Sequence, residues 1–352
     1  MAVAGDDRIP VTVLTGYLGA GKTTLLNRIL SEPHGRRYAV LVNEFGEIGI
    51  DGELIVGADE ELFEMNNGCV CCTVRGDLIR TLHTLLAGNA ARAKPFDAIV
   101  VETTGLADPG PVAQTFLVDA LLQAKTRLDS ITTVVDARHI GLRLADSFEA
   151  AGQIAFADQI VLNKTDLVSL AELDAVEARL RRLNPLAPIH RAQRSRVALA
   201  EVLERGGFDL DRIEAMPPPA SAASIDDAHV HDEHCGHDHL RPAASPLHDA
   251  GIHSVSVVSV SPMDGEAVSD WLKALLAEQG DDILRAKGIV AVAGDPRRLV
   301  FQAVHRLLEG DWQRPWRADE ARTSRLVFIG RRLDAAALRG AFEACTAAAS
   351  SR

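Results

Sequence analysis

The run Gly16-Tyr17-Leu18-Gly19-Ala20-Gly21-Lys22-Thr23-Thr24 constrains this chain more than any other stretch, because it spells G-x-x-x-x-G-K-[ST]. In that pattern backbone N–H groups wrap phosphates, the lysine neutralises terminal oxygens and the hydroxyl holds Mg²⁺. The flanks predict the context it needs. Val11 to Thr15 is a β-branched run fit for a buried strand, and Thr23 to Leu30 reads as a helix that stops near Pro33 and Gly35. A strand then delivers the loop to a helix N-terminus, where N–H groups and the positive dipole end converge on an anion. Gly16, Gly19, Ala20, Gly21, Lys22, Thr23 and Thr24 are the candidate phosphate-binding residues, with Lys22 and Thr23 also read as catalytic and Thr23 as an Mg²⁺ ligand.

At 352 residues and 47% hydrophobic content, the chain has room for a sizeable core and two domains. Its formal net charge of −12 argues against a general nucleic-acid or anionic-membrane binder, which needs a basic surface. No apolar run approaches the roughly 20 residues of a transmembrane helix, and the N-terminus lacks a basic segment followed by an apolar one. The expected location is cytoplasmic, with no nucleic-acid and no membrane partner. Of five cysteines, three crowd into Cys69-Val70-Cys71-Cys72, unlike a spaced disulfide framework.

From residue 11 to about 205, the strand-like runs Ala39-Val42, Ala98-Val101, Ile131-Val135 and Gln159-Leu162 lie between helical patterns near Asp77-Leu86, Val112-Ala124 and Ala171-Leu183. That rhythm predicts an α/β P-loop NTPase domain with a mostly parallel sheet covered by helices, and ligands gathered at the carboxyl ends of its strands. Each further motif sits at such an end. After Ala39-Val42 comes the Gly- and acid-rich loop Asn43 to Gly52, a candidate switch segment that carries Glu47 as a candidate metal ligand. A plain solvated acidic loop is the alternative.

The strand Ala98-Val101 runs into Glu102-Thr103-Thr104-Gly105, which places an acid to orient Mg²⁺ and a glycine N–H to sense a γ-phosphate. Glu102 could instead cap the helix after Pro109. The strand Gln159-Leu162 ends in Asn163-Lys164-Thr165-Asp166, spelled like the guanine-specificity element of GTPases. Adenine would leave the aspartate without its donors, so GTP is favoured over ATP. The alternative is a polar turn with Asp166 as helix N-cap.

Asn66-Asn67-Gly68 supplies turn chemistry just before the cysteines. If the segment turns, Cys69, Cys71 and Cys72 can converge, and three thiolates suit Zn²⁺ with its fourth tetrahedral position left open. An incomplete site is what a protein needs if it must give the metal away. A Cys69/Cys72 redox pair and reduced structural cysteines remain open at this point.

From Met216 to Asp249 the periodicity disappears and Pro, Ala, Ser, Asp and His take over, the composition of a disordered linker. It contains His229, His231, His234, His237 and His239, which can chelate transition metals weakly or serve only as a polar spacer. Beyond it, Ile252-Val260, Leu299-Val304 and Arg325-Ile329 read as strands and Asp264-Glu278 and Asp334-Ala344 as helices, a small α+β domain of ferredoxin-like type. The division is residues 1–215, linker 216–250 and C-terminal domain 251–352. Trp312, Trp316 and Phe328 read as core or interface.

Taken in order, Gly16 to Thr24, Asn43-Glu44-Phe45-Gly46-Glu47, Gly68-Cys69-Val70-Cys71-Cys72, Glu102-Thr103-Thr104-Gly105 and Asn163-Lys164-Thr165-Asp166 closely resemble the CobW-type metal-handling GTPases, relatives of the nickel-insertion GTPases for urease and hydrogenase. Leu284-Arg285-Ala286-Lys287-Gly288 and Asp311 to Trp316 look like that family's C-terminal domain. The resemblance implies slow, Mg²⁺-dependent GTP hydrolysis coupled to Zn²⁺, Co²⁺ or another divalent metal, and delivery to a client metalloprotein. It implies Lys22, Thr23 and Glu102 as catalytic residues, with Gly105, Asn163, Lys164 and Asp166 completing the nucleotide site. A homo-oligomer is a further candidate assembly. A non-catalytic metal buffer and a regulatory GTPase of translation or ribosome assembly are the competing readings.

Overall fold

The strand that ends in the phosphate loop lies at the centre of a seven-stranded sheet, with every pairing in it parallel. The computed structural model describes residues 7–32, 35–43, 61–65, 71–89, 95–203 and 251–347. The strands are β1 (Ile9–Thr15), β2 (Tyr38–Asn43), β3 (Glu61–Met65), β4 (Ala98–Glu102), β5 (Thr126–Asp136), β6 (Gln159–Asn163) and β7 (Ile189–Arg191), in the order β3-β2-β4-β1-β5-β6-β7. β1 and β4 are buried along almost their whole length, as their β-branched runs require.

Helices α1 (Lys22–Ser31), α2 (Cys71–Asn89), α3 (Pro109–Val118), α4 (Ala120–Lys125), α5 (Ile140–Asp146), α6 (Phe148–Phe156) and α7 (Leu170–Leu183) connect these strands. The helix expected over Val112-Ala124 is two helices. Asp119 takes extended backbone angles and accepts from Leu122 N–H, ending α3 and capping α4 at once. The helix expected over Asp77-Leu86 is longer and opens at Cys71.

The second sheet is antiparallel, with β8 (Ile252–Ser259), β9 (Ile283–Ala291), β10 (Arg297–Val304), β11 (Leu307–Pro315) and β12 (Ser324–Arg331) in the order β11-β10-β9-β12-β8. Helix α8 (Gly265–Gln279) joins β8 to β9, and α9 (Ala335–Ala344) follows β12. The domain is α+β, but not ferredoxin-like. That arrangement needs two split β-α-β units, whereas here β9, β10 and β11 follow one another as a meander and only β8-α8-β9 is a split unit.

One face of this sheet packs on α8 and α9 through Val257, Leu272, Ala286, Phe301, Phe328 and Phe342. Its other face sends Ile252, Leu284, Val304, Val327 and Ile329 into the same apolar cluster as Phe116, Ile154 and Phe156 of the first half. The two sheets thus share a continuous core across α3, α6 and α7. Two positive charges enter this seam on β9. Asp158, just after α6, accepts from Arg285 Nη2 at 2.9 Å and from Lys287, and its second oxygen accepts from Ile131 N–H at 2.9 Å. Among the three aromatic residues singled out above, Phe328 is fully buried, Trp316 packs against Ile289 and Val300, and Trp312 lies half-exposed beneath the Arg297 guanidinium.

Candidate nucleotide site

The loop from Gly16 to Gly21 leaves β1 with positive φ at Gly16, Gly19 and Gly21, angles that side chains disfavour. At Gly21 (φ 110°) a Cβ would also stand 2.5 Å from Asn163 Nδ2 and 2.9 Å from Ser195 Oγ, so glycine is required there on both counts. Asp108, Asp119, Ser147, Ser169, Asp264 and Asp334 cap their helices with side-chain oxygens, whereas Gly21 brings no side chain to the N-terminus of α1. That end is arranged for an external anion. Lys22 lies along the loop with Nζ donating to Gly16 O at 2.9 Å, so its charge sits where phosphate oxygens would arrive.

Strand β4 is the direct neighbour of β1, with Leu14 opposite Glu102. This register brings the buried Glu102 carboxylate to the first turn of α1, where Thr23 Oγ1 faces Glu102 Oε1 at 3.5 Å. A hydroxyl beside a carboxylate is a hard oxygen donor pair that fits Mg²⁺. Glu102 is not the cap of the next helix, since Asp108 accepts from Gly110 N–H at 2.8 Å and does that work. Thr103 anchors the loop base, donating its N–H to Leu14 O and its hydroxyl to Thr15 Oγ1, both at 2.9 Å. Gly105 returns to the phosphate loop so closely that a Cβ there would meet Leu18 N at 2.7 Å.

At the end of β6, Asn163 is buried and spends its whole side chain on fixing neighbours. Its Nδ2 donates to Ala20 O at 2.9 Å and lies 3.1 Å from Ser195 Oγ, while its Oδ1 accepts from Ser195 N–H at 2.7 Å. Ser195 Oγ in turn donates to Gly21 O at 2.9 Å, and Arg28 of α1 donates to Ser195 O. Lys164 adopts a left-handed conformation (φ 61°) and its Nζ donates to Asp136 Oδ2 at 2.8 Å, an oxygen also 3.0 Å from His139 Nδ1. Burial opposes the charge on Asp136, yet the hydrogen bonds from Lys164 and His139 outweigh it and hold its carboxyl below the usual range.

Asp166 stays exposed in the short 3₁₀ turn Thr165–Leu167, at a cleft of about 630 Å³ also lined by Arg191, Ala192, Gln193, Arg194 and Arg196. It caps nothing, because Ser169 and Glu172 form a complete capping box for α7. On the other side of Lys164, a cleft of about 250 Å³ runs between Tyr17, Gly19, Asp136 and His139.

Thus Lys22, Thr23, Glu102, Gly105 and Asn163 come together around one loop, and Lys164 and Asp166 stand at the adjoining strand end. Sequence reasoning missed Asp136 and the turn Ala192–Arg196. The only signal was position, since each directly follows or ends a strand beside β6. Of the expected metal ligands, Cys71 and Cys72 begin α2, the helix after β3. Glu47, Cys69 and all five linker histidines lie outside the described residues, as does the switch-like loop after β2.

Residues 10–191 match the family described as CobW/HypB/UreG, nucleotide-binding domain, and residues 252–346 match the cobalamin synthesis protein cobW C-terminal domain. The chain belongs to the CobW/HypB/UreG family. It is 37% identical over 334 residues to the zinc chaperone YjiA of Escherichia coli (strain K12), covering 95% of this chain and 98% of that one. It is 35% identical over 330 residues to the zinc-regulated GTPase metalloprotein activator 1 of Schizosaccharomyces pombe, covering 86% of this chain and 77% of the relative. Among solved structures, the Zn(II)-bound YjiA GTPase from E. coli matches with a TM-score of 0.70 at 32% identity, over 97% of this chain and 100% of that one. Among the described residues of this CobW-family member, no helix is long and apolar enough to cross a membrane.

Proposed function

We propose that this protein is a Mg²⁺-dependent GTPase that binds Zn²⁺ as cargo and delivers it to a client metalloprotein in the cytoplasm. The observation that carries the nucleotide half is the Asn163 side chain, which ties the base-reading turn to the phosphate loop. In this reading the loop amides and Lys22 hold the β- and γ-phosphates, and Asp166 accepts from the guanine edge while the Lys164 stem packs on the ring. Thr23 and Glu102 are the residues that would hold Mg²⁺, which neutralises charge on the phosphates when bound.

Sheet topology supports the metal half. All seven strands are parallel, so the last residues of β2, β3 and β4 lie at the same end of the sheet. Cys69, Cys71 and Cys72 follow β3 within a few residues, and Glu47 follows β2. The first turn of a helix favours anionic groups, which suits thiolates at Cys71 and Cys72. Bound GTP would then alter the affinity for Zn²⁺, and Zn²⁺ must alter the affinity for GTP by the same factor, with couplings typically about 1–3 kcal/mol.

The test is Zn²⁺ content and phosphate release on the full chain and on Cys71→Ser. GTP but not ATP should turn over in both, and the tightly held ion should disappear from Cys71→Ser. Absence of GTP turnover in the native chain overturns the GTPase reading. Zn²⁺ held as tightly by Cys71→Ser overturns the cysteine site.

A further inference from the structure

The loop from Thr103 to Asp108, which carries the γ-phosphate-sensing glycine in the reading above, is held from behind by a side chain of α6. Gln153, on α6 and only 1% exposed, donates through Nε2 to Gly105 O at 3.2 Å and to Ala107 O at 3.1 Å. Both bonds are made by the amide nitrogen, which is thereby committed to the loop backbone. It fixes two carbonyls of the loop, and with them the direction of the Gly105–Leu106 and Ala107–Asp108 peptide units.

The same helix is gripped from the C-terminal domain. One turn after Gln153, the Phe156 ring lies 5.3 Å from the His305 ring, centroid to centroid. His305 occupies the two-residue turn between β10 and β11 with φ 51°, a conformation better suited to glycine or asparagine. Its Nδ1 lies 3.2 Å from Gly280 O. Its other nitrogen faces α3, where a Cβ placed on Gly110 would stand 3.0 Å from His305 Nε2 and 2.9 Å from Phe156 Cζ. Gly110 itself follows the sensing loop at once. The His305 turn therefore touches both supports of that loop: α6 behind it and the first turn of α3 after it.

We propose that α6 couples the C-terminal domain to the γ-phosphate-sensing loop, with Gln153 as the positioning residue for Gly105 and Ala107 and His305 as the contact that sets α6. This rests on the GTPase reading and adds to it a route by which a partner or metal on the C-terminal domain changes nucleotide preference. GDP has no group at the Gly105 amide, so the coupling acts on GTP binding and hydrolysis and spares GDP.

The test compares the full chain with Gln153→Met, His305→Asn and the double variant. Affinities for GDP and for a non-hydrolysable GTP analogue are read with fluorescent nucleotides, beside phosphate release. In Gln153→Met the analogue should bind on the order of tenfold more weakly and hydrolysis should fall with it, while GDP affinity stays within about twofold. His305→Asn should shift the analogue in the same direction by less, and the double variant should be no worse than Gln153→Met alone, since the two residues act through one helix.

Equal losses for GDP and the analogue in Gln153→Met would reduce Gln153 to a packing residue and overturn the proposal. Unchanged nucleotide preference in His305→Asn would do the same. Asparagine accepts the backbone of that turn, so His305→Asn decides the matter even if Gln153→Met fails to fold. A native chain that binds neither nucleotide would overturn the GTPase reading itself, a failure visible before any variant is made.

Discussion

Asn163 donates to the carbonyl of Ala20 at 2.9 Å, across 143 residues of sequence, and so makes the end of β6 a structural part of the phosphate loop. Asn163→Ala would leave Ala20 O and the Ser195 N–H without this partner in a buried place. The expected cost is about 1–3 kcal/mol of stability. Nucleotide affinity should fall for GDP and GTP alike, because the loop itself loosens. Urea unfolding and nucleotide titration would check both.

Asp166 is exposed and caps no helix, so Asp166→Asn should change stability by less than about 0.5 kcal/mol. In the proposed reading its effect falls on base choice. GTP binding should weaken by about a hundredfold or more, and xanthosine triphosphate, whose base supplies a carbonyl for the amide, should become the preferred ligand. Competition between the two triphosphates for the variant is the measurement.

Asp158 meets Arg285 and Lys287 where the two sheets share their core, and the three side chains are 10%, 2% and 12% exposed. Burial disfavours its charge, but the nearby Arg285 and Lys287 outweigh that and hold the carboxyl below its usual range. A carboxylate with a depressed folded-state pKa stabilises above its unfolded value of about 3.9 and loses that stabilisation as pH falls through the folded value. The seam should therefore weaken only in acid, below about pH 4, and hold through neutrality. Asp158→Asn should cost about 3–5 kcal/mol at pH 7, because it removes the negative charge that Arg285 and Lys287 face in a buried seam. Urea midpoints for both proteins at pH 7 and in acid should converge as the acid is approached.

Deleting residues 229–239 should reduce the number of weakly held Zn²⁺ ions and leave GTP turnover and the tight ion in place, since imidazoles bind exchangeably and compete with protons. Loss of the tight ion would identify a linker histidine as its fourth ligand. Elemental analysis after chelator washing separates the two outcomes.

The parts of the molecule readable from sequence are those where local chemistry and function coincide. The β-branched runs of β1 and β4 are buried on both faces, so composition alone announces them. The phosphate loop needs glycines at fixed places, and Asp264 and Asp334 cap their helices where a sequence reading expects a start. Strand β9 was illegible for a physical reason. Arg285 and Lys287 in its middle argue against a buried strand, and the Asp158 that neutralises them lies 127 residues away from Arg285. Strand β7 is three residues long, and the Ser195 turn after it has a meaning that only the fold supplies. The break at Asp119 hides in an otherwise apolar helical pattern, because one aspartate can end one helix and begin the next.

The shared core between the two sheets also bears on how such a chain changes over evolutionary time. Ile252, Leu284, Val304, Val327 and Ile329 hold the C-terminal half against α3, α6 and α7 by side-chain packing. A change of side-chain size at any of these five positions must be answered on α3, α6 or α7 across the seam, so at this surface the two halves evolve as one unit.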